Sequence, residues 1–478
     1  MTIKMPLFEA PGPLLIRGLN WLGDAVMSIP AIKAIKNYYP SRELLAITRA
    51  STADVYDSLN VFSKVLIENL RFSSRLKLAK IIRTLSPTGM LILPNSFSTA
   101  LMAKLSGARV RVGSAKNMRS VFLTKAVKFL PEEEAAHESF KFLRLVEELG
   151  LPSPFTKPLL DKPLLDKPKL PYDEFLPQGF RLAIAPGAAF GSAKCWPTDN
   201  FAEAAKLILQ DRKGTVLILG GPAECDTAKE LEAKLSGGPE VINMAGRTKI
   251  KEVISILADC HLTLANDSGL MHLSGAVGVP VVAVFGPTNP IKTAPLASRC
   301  IVLRRPAPCS PCRHRECPKP RRICFDQLTP EMAAEAANKL IGPVRQDRPT
   351  VIWSPLSGQI WPFEHGSDIR FCALATDIVK AGGQLSSAPP WLTVISRPMD
   401  GANDWRDYLH EGNLDPNSTF WLGDTANSIN LAKTLGGRSI LVTTDRGRAA
   451  IPELLAGEGL PNIAVPNFTR AMEWIASF

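Results

Sequence analysis

Asn266-Asp267-Ser268-Gly269-Leu270-Met271-His272 is flanked by two apolar runs, Cys260-His-Leu-Thr-Leu-Ala265 and Val279-Pro-Val-Val-Ala-Val-Phe285. The pattern predicts a strand, a polar turn, a small-residue helix from Leu270 to Val277, and a second strand. A βαβ unit of this kind puts the turn at the carboxyl end of a strand, where open parallel sheets bind ligands. Free amides of Ser268 and Gly269 at the helix start suit an anion. Asp267 would repel a bare phosphate. A nucleotide-sugar resolves the conflict, with its diphosphate on the amides and its hydroxyls on the carboxylate. An Asx turn that only caps the helix is the competing reading.

The chain of 478 residues is long enough for about three domains. Its 45% hydrophobic and 21% charged content describes a folded globular protein. No stretch reaches the roughly 18 apolar residues that span a bilayer. The N-terminus has no apolar run ahead of a cleavage site, and nine cysteines, an odd number, suit a reducing compartment. A cytoplasmic location is expected.

The net charge of +11 is unevenly spread. From Arg71 to Pro131 there is no Asp or Glu, yet this stretch carries Arg71, Arg75, Lys77, Lys80, Arg83, Lys104, Arg109, Arg111, Lys116, Arg119, Lys125 and Lys128. Such a field draws in anionic partners. Near an anionic membrane each surface Lys or Arg adds about 1 kcal/mol, enough in sum for peripheral attachment. Few aromatics and no recognisable binding motif argue against nucleic acid. A solvated basic surface without a partner is the alternative.

Residues 14 to 170 alternate strand-like and helix-like pieces: Leu14–Arg17, a glycine-bearing loop to Asp24, a helix from Ala25 to Tyr38, then strands Leu44–Thr48 and Gly89–Leu93. Lys157-Pro-Leu-Leu-Asp161 repeats as Lys162-Pro-Leu-Leu-Asp166, the composition of a semi-rigid linker. A second alternation has strands Arg181–Ala185 and Thr215–Leu219 and helices Asn200–Gln210 and Ala223–Leu235. It closes with a helix at Thr329-Pro330-Glu331, with Thr at the cap and Pro in the first turn. A third follows Arg345–Pro349, with strands Val351–Trp353, Leu392–Ile395, Thr419–Leu422 and Ser439–Thr443. The domain expectation is 1–172, 173–345 and 346–478: two doubly wound α/β domains facing a cleft, plus a smaller α/β domain.

Several residues beside the opening turn could carry chemistry. Gly187 begins the small-residue loop after a strand, and Lys194 in that loop could meet a diphosphate oxygen; a charged hydrogen bond there contributes about 1.5–3 kcal/mol. Glu224, after Leu219-Gly-Gly-Pro-Ala, could reach ribose hydroxyls or simply favour a helix start. Asp24 could cap a helix, or deprotonate an attacking hydroxyl, which supplies about 10²–10⁴ in rate.

Asn20-Trp-Leu-Gly-Asp24, Leu93-Pro-Asn-Ser-Phe97, Pro186 to Pro197, Asn266 to His272 and Phe285-Gly-Pro-Thr288 occur in one order across two domains. On these motifs residues 14 to about 343 resemble glycosyltransferase family 9, in particular its heptosyltransferase II type. The resemblance implies a GT-B fold and an inverting, metal-independent transfer without cofactor. The donor would be ADP-L-glycero-D-manno-heptose, and the acceptor an inner-core heptose of the heptosyl-Kdo2-lipid A type. Asp24 would be the general base. Gly187, Lys194, Glu224, Asp267, Ser268, Gly269 and His272 would form the donor side, with His272 anchoring helix and loop. Asn20, Asn95 and Ser96 would line the acceptor side with Arg109, Arg111 and Arg119, and the basic stretch would hold the protein on the cytoplasmic face of the inner membrane. A nucleotide-sugar-binding or scaffolding protein without turnover is one alternative, and a bifunctional transferase and phosphatase is another.

Cys309, Cys312, Cys317 and Cys324 lie within sixteen positions among arginines and lysines. They could hold zinc as thiolates, although the spacing is not that of a paired zinc ribbon. A reduced or redox-sensitive loop without metal is the expectation. The last 130 or so residues resemble the HAD phosphatase fold of the heptose-bisphosphate type, on Trp421-Leu-Gly-Asp424-Thr-Ala-Asn-Ser428. Pro355 stands where that family has its nucleophile and Ser357 where it has its acid/base. Without a carboxylate nucleophile the aspartyl-phosphate route is closed, so a phosphatase-inactive domain is expected.

Overall fold

Strands in parallel sheets are covered on both faces and therefore read as short continuous apolar runs. The computed structural model bears this out, and it describes residues 11–69, 71–156, 158–160, 179–341, 350–353, 370–374, 392–395, 399, 402–411, 414, 419–457 and 459–476. The first sheet contains β1 (Leu14–Arg17), β2 (Leu44–Thr48), β3 (Lys64–Ile67), β4 (Gly89–Ile92), β5 (Val110–Ser114) and β6 (Lys125–Val127). The second contains β7 (Phe180–Ala185), β8 (Gly214–Ile218), β9 (Glu240–Asn243), β10 (Leu262–Asn266), β11 (Val281–Val284) and β12 (Cys300–Leu303). The third contains β13 (Thr350–Trp353), β14 (Arg370–Leu374), β15 (Leu392–Ile395), β16 (Thr419–Gly423), β17 (Arg438–Val442) and β18 (Ile463–Val465).

All three sheets share one topology. Their orders are β3-β2-β1-β4-β5-β6, β9-β8-β7-β10-β11-β12 and β15-β14-β13-β16-β17-β18. Every neighbouring pair is parallel, for example β1 with β4 and β7 with β10. The order reverses between the first and fourth strand of each sheet, which opens a crevice at their carboxyl ends. The loops after β1, β4, β7 and β10 carry four of the five sequence motifs. The first two domains thus form the Rossmann-like pair of a GT-B fold.

The helix expected over Ala25–Tyr38 is two helices, Leu22–Met27 and Ile29–Tyr38. Pro30 is the reason: it has no amide hydrogen for the carbonyl of Val26, so the ladder breaks at Ser28. Ala223–Leu235 similarly opens with a 3-10 turn, Pro222–Glu224, before helix Cys225–Lys234. Residue 157 and residues 161–168 of the prolyl repeat, and Pro355 and Ser357, lie outside the described residues. Just ahead of that gap, the buried Leu160 donates its amide to Ala276 O at 2.8 Å.

Helix Leu22–Met27 of the first domain packs on helix Gly269–Ala276 of the second. A Cβ built at Gly269 would stand 2.6 Å from Leu22 Cβ. The third domain docks on both. Thr443 Oγ1 donates to Glu132 O at 2.8 Å, and His137 N to Ala464 O at 3.0 Å. Arg304 Nη1 donates to Leu455 O at 2.6 Å, and Ile291 packs with Ile429, Leu441 and Leu454. One continuous apolar cluster takes in Ile16, Met271 and Phe420, so the three domains share a core.

Candidate active site

A cleft of about 1120 Å³ lies between the first two domains. Asn20, Asp24, Asn95, Lys194, Glu224, Asp267, Ser268, Gly269 and His272 all line it. On the second-domain wall, Asn266 stitches the loops together: its Nδ2 donates to Pro186 O at 2.6 Å and its Oδ1 accepts from Trp196 N at 3.0 Å. This brings Lys194 to Asp267, with Nζ 2.6 Å from Oδ2. Thr288 Oγ1 donates to the same Oδ2 at 2.6 Å. The awkward carboxylate thus has two protein partners, and its charge offsets that of the lysine. Ser268 precedes helix Gly269–Ala276 in extended backbone, and its buried Oγ has no partner among the described residues.

Glu224 Oε2 accepts from Gly221 N at 2.6 Å, and burial raises its pKa. Gly187 does not line the cleft. A Cβ there would meet Glu224 Cδ at 2.6 Å, so the glycine makes room for the carboxylate instead of touching a ligand. His272 is buried, and burial pushes its pKa down to about 4, which keeps the imidazole neutral. Its ring packs against Gly23, as an anchor would.

Asp24 occupies the first turn of helix Leu22–Met27, and among the described residues no hydrogen bond reaches its carboxylate. Burial raises its pKa to about 6, helped by the like charge of Glu138 and opposed by Lys194. The helix has no side-chain cap, so the capping alternative for Asp24 falls. Asn20 is held by Arg17 Nη2 at 3.0 Å, and Arg17 in turn is paired with buried Glu68. Asn95 Oδ1 accepts from Ser114 Oγ at 2.6 Å.

The basic residues expected at the acceptor wall are elsewhere. Arg119 is fully buried, donates to Ser114 O at 2.8 Å and to Pro94 O, and is pushed down to about 10 by burial. It supports the Pro94–Ser96 loop from beneath. Arg111 donates to Phe122 O and Ala108 O, each at 2.6 Å. Arg109 is exposed and off the cleft, and Ser96 turns to Thr99 Oγ1 at 3.1 Å. The cations that do line the cleft are Lys116, Lys141, Lys194, Lys249, Lys292 and Arg313. Lys141, Lys249 and Lys292 lie outside the acid-free stretch and outside every quoted motif, and Arg313 lies in the cysteine cluster, where it was read only as a cation beside thiols.

The four cysteines line one small cavity with Arg322. Among the described residues no group of His, Cys, Asp or Glu is arranged to hold a metal. In the third domain Asp424 is buried, with Thr444 Oγ1 at 2.9 Å and Arg446 Nη2 at 3.1 Å.

The family described as Glycosyltransferase family 9 (heptosyltransferase) matches residues 75–322. Lipooligosaccharide heptosyltransferase 2 of Campylobacter jejuni is 31% identical over 332 residues, which cover 68% of this chain and 98% of the relative. Lipopolysaccharide heptosyltransferase 2 of Escherichia coli K12 is 26% identical over 344 residues, 69% of this chain and 98% of that one. The solved structure of the E. coli ADP-heptose LPS heptosyltransferase II superposes with a TM-score of 0.61 at 25% identity, over 69% of this chain and 98% of that chain.

Proposed function

Since the chain belongs to glycosyltransferase family 9, we propose that it moves heptose from ADP-L-glycero-D-manno-heptose to the inner-core heptose of a lipopolysaccharide acceptor, with inversion at the anomeric carbon. The observation that carries this reading is Asp24: a raised, unpartnered carboxylate across the cleft from Lys194 and the Ser268–Gly269 amides. The acceptor hydroxyl oxygen bonds to the anomeric carbon while the bond to the β-phosphate oxygen breaks. Asp24 takes the hydroxyl proton, and the departing ADP keeps the bonding electrons. Lys194 and the two amides meet its growing charge. Incubation of the full chain with ADP-heptose and a heptosylated Kdo2-lipid A acceptor tests this. Release of ADP with a heptose added to the acceptor supports it. Tight ADP-heptose binding without any transfer would favour a binding protein instead.

The reading includes attachment to the inner-membrane surface. Met118 is 87% exposed and Val121 73% exposed, beside the Phe97–Phe122 pair at 4.9 Å and Lys104 at 5.7 Å from the Phe122 ring. Apolar side chains rimmed by cations suit an anionic bilayer. Among the described residues no helix is long and apolar enough to cross a membrane.

The HAD-like third domain acts as a brace, not a catalyst. It packs on Ile291, next to cleft-lining Lys292, and bonds His137, next to cleft-lining Glu138. Phosphate release from a heptose bisphosphate by the full chain would overturn its assignment as phosphatase-inactive.

A further inference from the structure

The cleft is lined by two cations that the fold fixes in place and leaves without an ion-pair partner among the described residues. Lys292 lies in the turn Pro290–Thr293, which is pinned from three sides. Asn289 Oδ1 accepts from Ile291 N at 3.0 Å, Ile291 is plugged into the third-domain core, and Ala294 O lies 2.9 Å from His137 Nε2. Arg313 comes from the cysteine-rich loop. Its amide and that of Cys312 both donate to Pro287 O, at 3.0 and 2.9 Å, which ties this loop to the segment that leads into Lys292. Arg313 adopts φ 58°, an uncommon conformation for a non-glycine residue.

Neither side chain has a hydrogen-bond or ion-pair partner among the described residues, and both line the cleft. Of the other cleft cations, the exposed Lys249 has no side-chain partner among the described residues either, whereas Lys116, Lys141 and Lys194 are paired. Lys141 Nζ lies 2.9 Å from Glu138 and 3.0 Å from Glu134, and Lys116 Nζ lies 2.6 Å from Glu134. Lys194 is paired with Asp267. Lys292 and Arg313 both come from second-domain loops separate from the Lys194–Asp267 pair, and the same cleft takes in Asp24, Glu138 and Lys141 of the first domain.

We propose that Lys292 and Arg313 form an anion subsite that grips an acidic substituent of the acceptor, a phosphate monoester or a sugar carboxylate close to the hydroxyl that reacts. This rests on the transferase reading above and names the acceptor feature that the site selects. An ammonium and a guanidinium make charge-assisted bonds to such oxyanions, and two of them fix the acceptor's register against Asp24. It also gives the cysteine-rich loop a task that needs no metal: it positions Arg313.

The test uses the full chain with ADP-heptose and three forms of heptosyl-Kdo2-lipid A: intact and phosphorylated, enzymatically dephosphorylated, and carboxyl-reduced. Lys292→Gln and Arg313→Gln should each raise the KM for the intact acceptor roughly tenfold to a hundredfold, as loss of one charged hydrogen bond does. The Kd for ADP should stay unchanged. One of the two modified acceptors should show the same loss with the wild-type chain and no further loss with the variants. That acceptor identifies the oxyanion. If the variants lose equally on all three acceptors, or if ADP binding weakens in step, the subsite is overturned. If the wild-type chain transfers nothing, the transferase reading fails by itself. Equilibrium binding of the three acceptors to the same variants then still decides the subsite, with equal affinities counting against it.

Discussion

A methyl group built on Gly23 would stand 2.7 Å from His272 Cδ2 and 3.2 Å from Nε2. The helix that bears Asp24 and the helix that opens the donor turn thus meet through a glycine and a buried neutral imidazole. No longer residue than glycine fits without moving one helix, and with it the distance between base and donor. Gly23→Ala should cost about 1–3 kcal/mol of stability, the usual range for overpacking, and lower kcat. Because the clash is with one ring, adding His272→Ala should recover part of the lost melting temperature. Purely additive losses in the double variant would contradict direct coupling.

The pH dependence follows from Asp24. Its pKa lies near 6, raised from 3.8 chiefly by burial and then by Glu138. The proton acceptor is the ionised form, so kcat/KM should rise with pH through about 6 and level off above it. Glu138→Gln removes a like charge and should move that midpoint to lower pH. Asp24→Asn should reduce turnover by about 10²–10⁴ while ADP affinity stays close to wild type. Stability runs the opposite way. A folded pKa above the unfolded value favours the fold fully below pH 3.8 and loses that contribution as pH rises through 6. Asp24→Asn should therefore melt higher than wild type at pH 7.5. A flat rate profile between pH 5 and 7 would remove Asp24 as the base.

Asp267 bridges Lys194 and Thr288 with a single oxygen. Lys194→Ala should weaken ADP binding roughly tenfold to a hundredfold, the value of one charged hydrogen bond. Thr288→Val removes only a neutral partner of Asp267, and the loss should be smaller, on the order of several-fold. Calorimetric titration with ADP measures both. Equal losses in the two variants would mean that Thr288 touches the nucleotide itself.

Much of this was legible because doubly wound sheets announce themselves. Leu44–Thr48 and Leu392–Ile395 are continuous apolar runs, and their bounds match the strands. The half-exposed edge strands β3 and β9 were not legible, since each is short and opens on a charged residue. Asn20, Asp24, Asn95, Lys194 and Asp267 reached the cleft because each lies in or just after a loop that follows a strand at the switch point, where loop and ligand must meet. The basic stretch misled at residue level. A guanidinium reads the same in sequence whether it faces solvent or, like Arg119, satisfies three backbone and hydroxyl oxygens inside the fold. Lys292 was invisible, and Arg313 legible only as a cation of the cysteine cluster, for the converse reason: the docking of the third domain and of the cysteine loop brings them to the cleft.

The two histidines at the domain boundary make the molecule acid-sensitive in a defined window. Burial pushes both His137 and His272 down to about 4 from the ordinary 6.5. A neutral imidazole in the fold contributes stability that is fully present above pH 6.5 and lost as pH falls from 6.5 toward 4. Both rings sit on contacts between the first two domains, His137 on Ala294 O and His272 on Gly23. Acidification should therefore loosen the cleft before it unfolds the separate sheets. The expected loss is on the order of a few kcal/mol between pH 6.5 and 4.5. Carboxylates elsewhere add to acid unfolding, so the informative quantity is a difference. The double variant His137→Gln, His272→Gln cannot take up these two protons, and its melting temperature should fall less steeply over that range than that of the wild-type chain. Parallel slopes would show that the two imidazoles are not the source of the sensitivity.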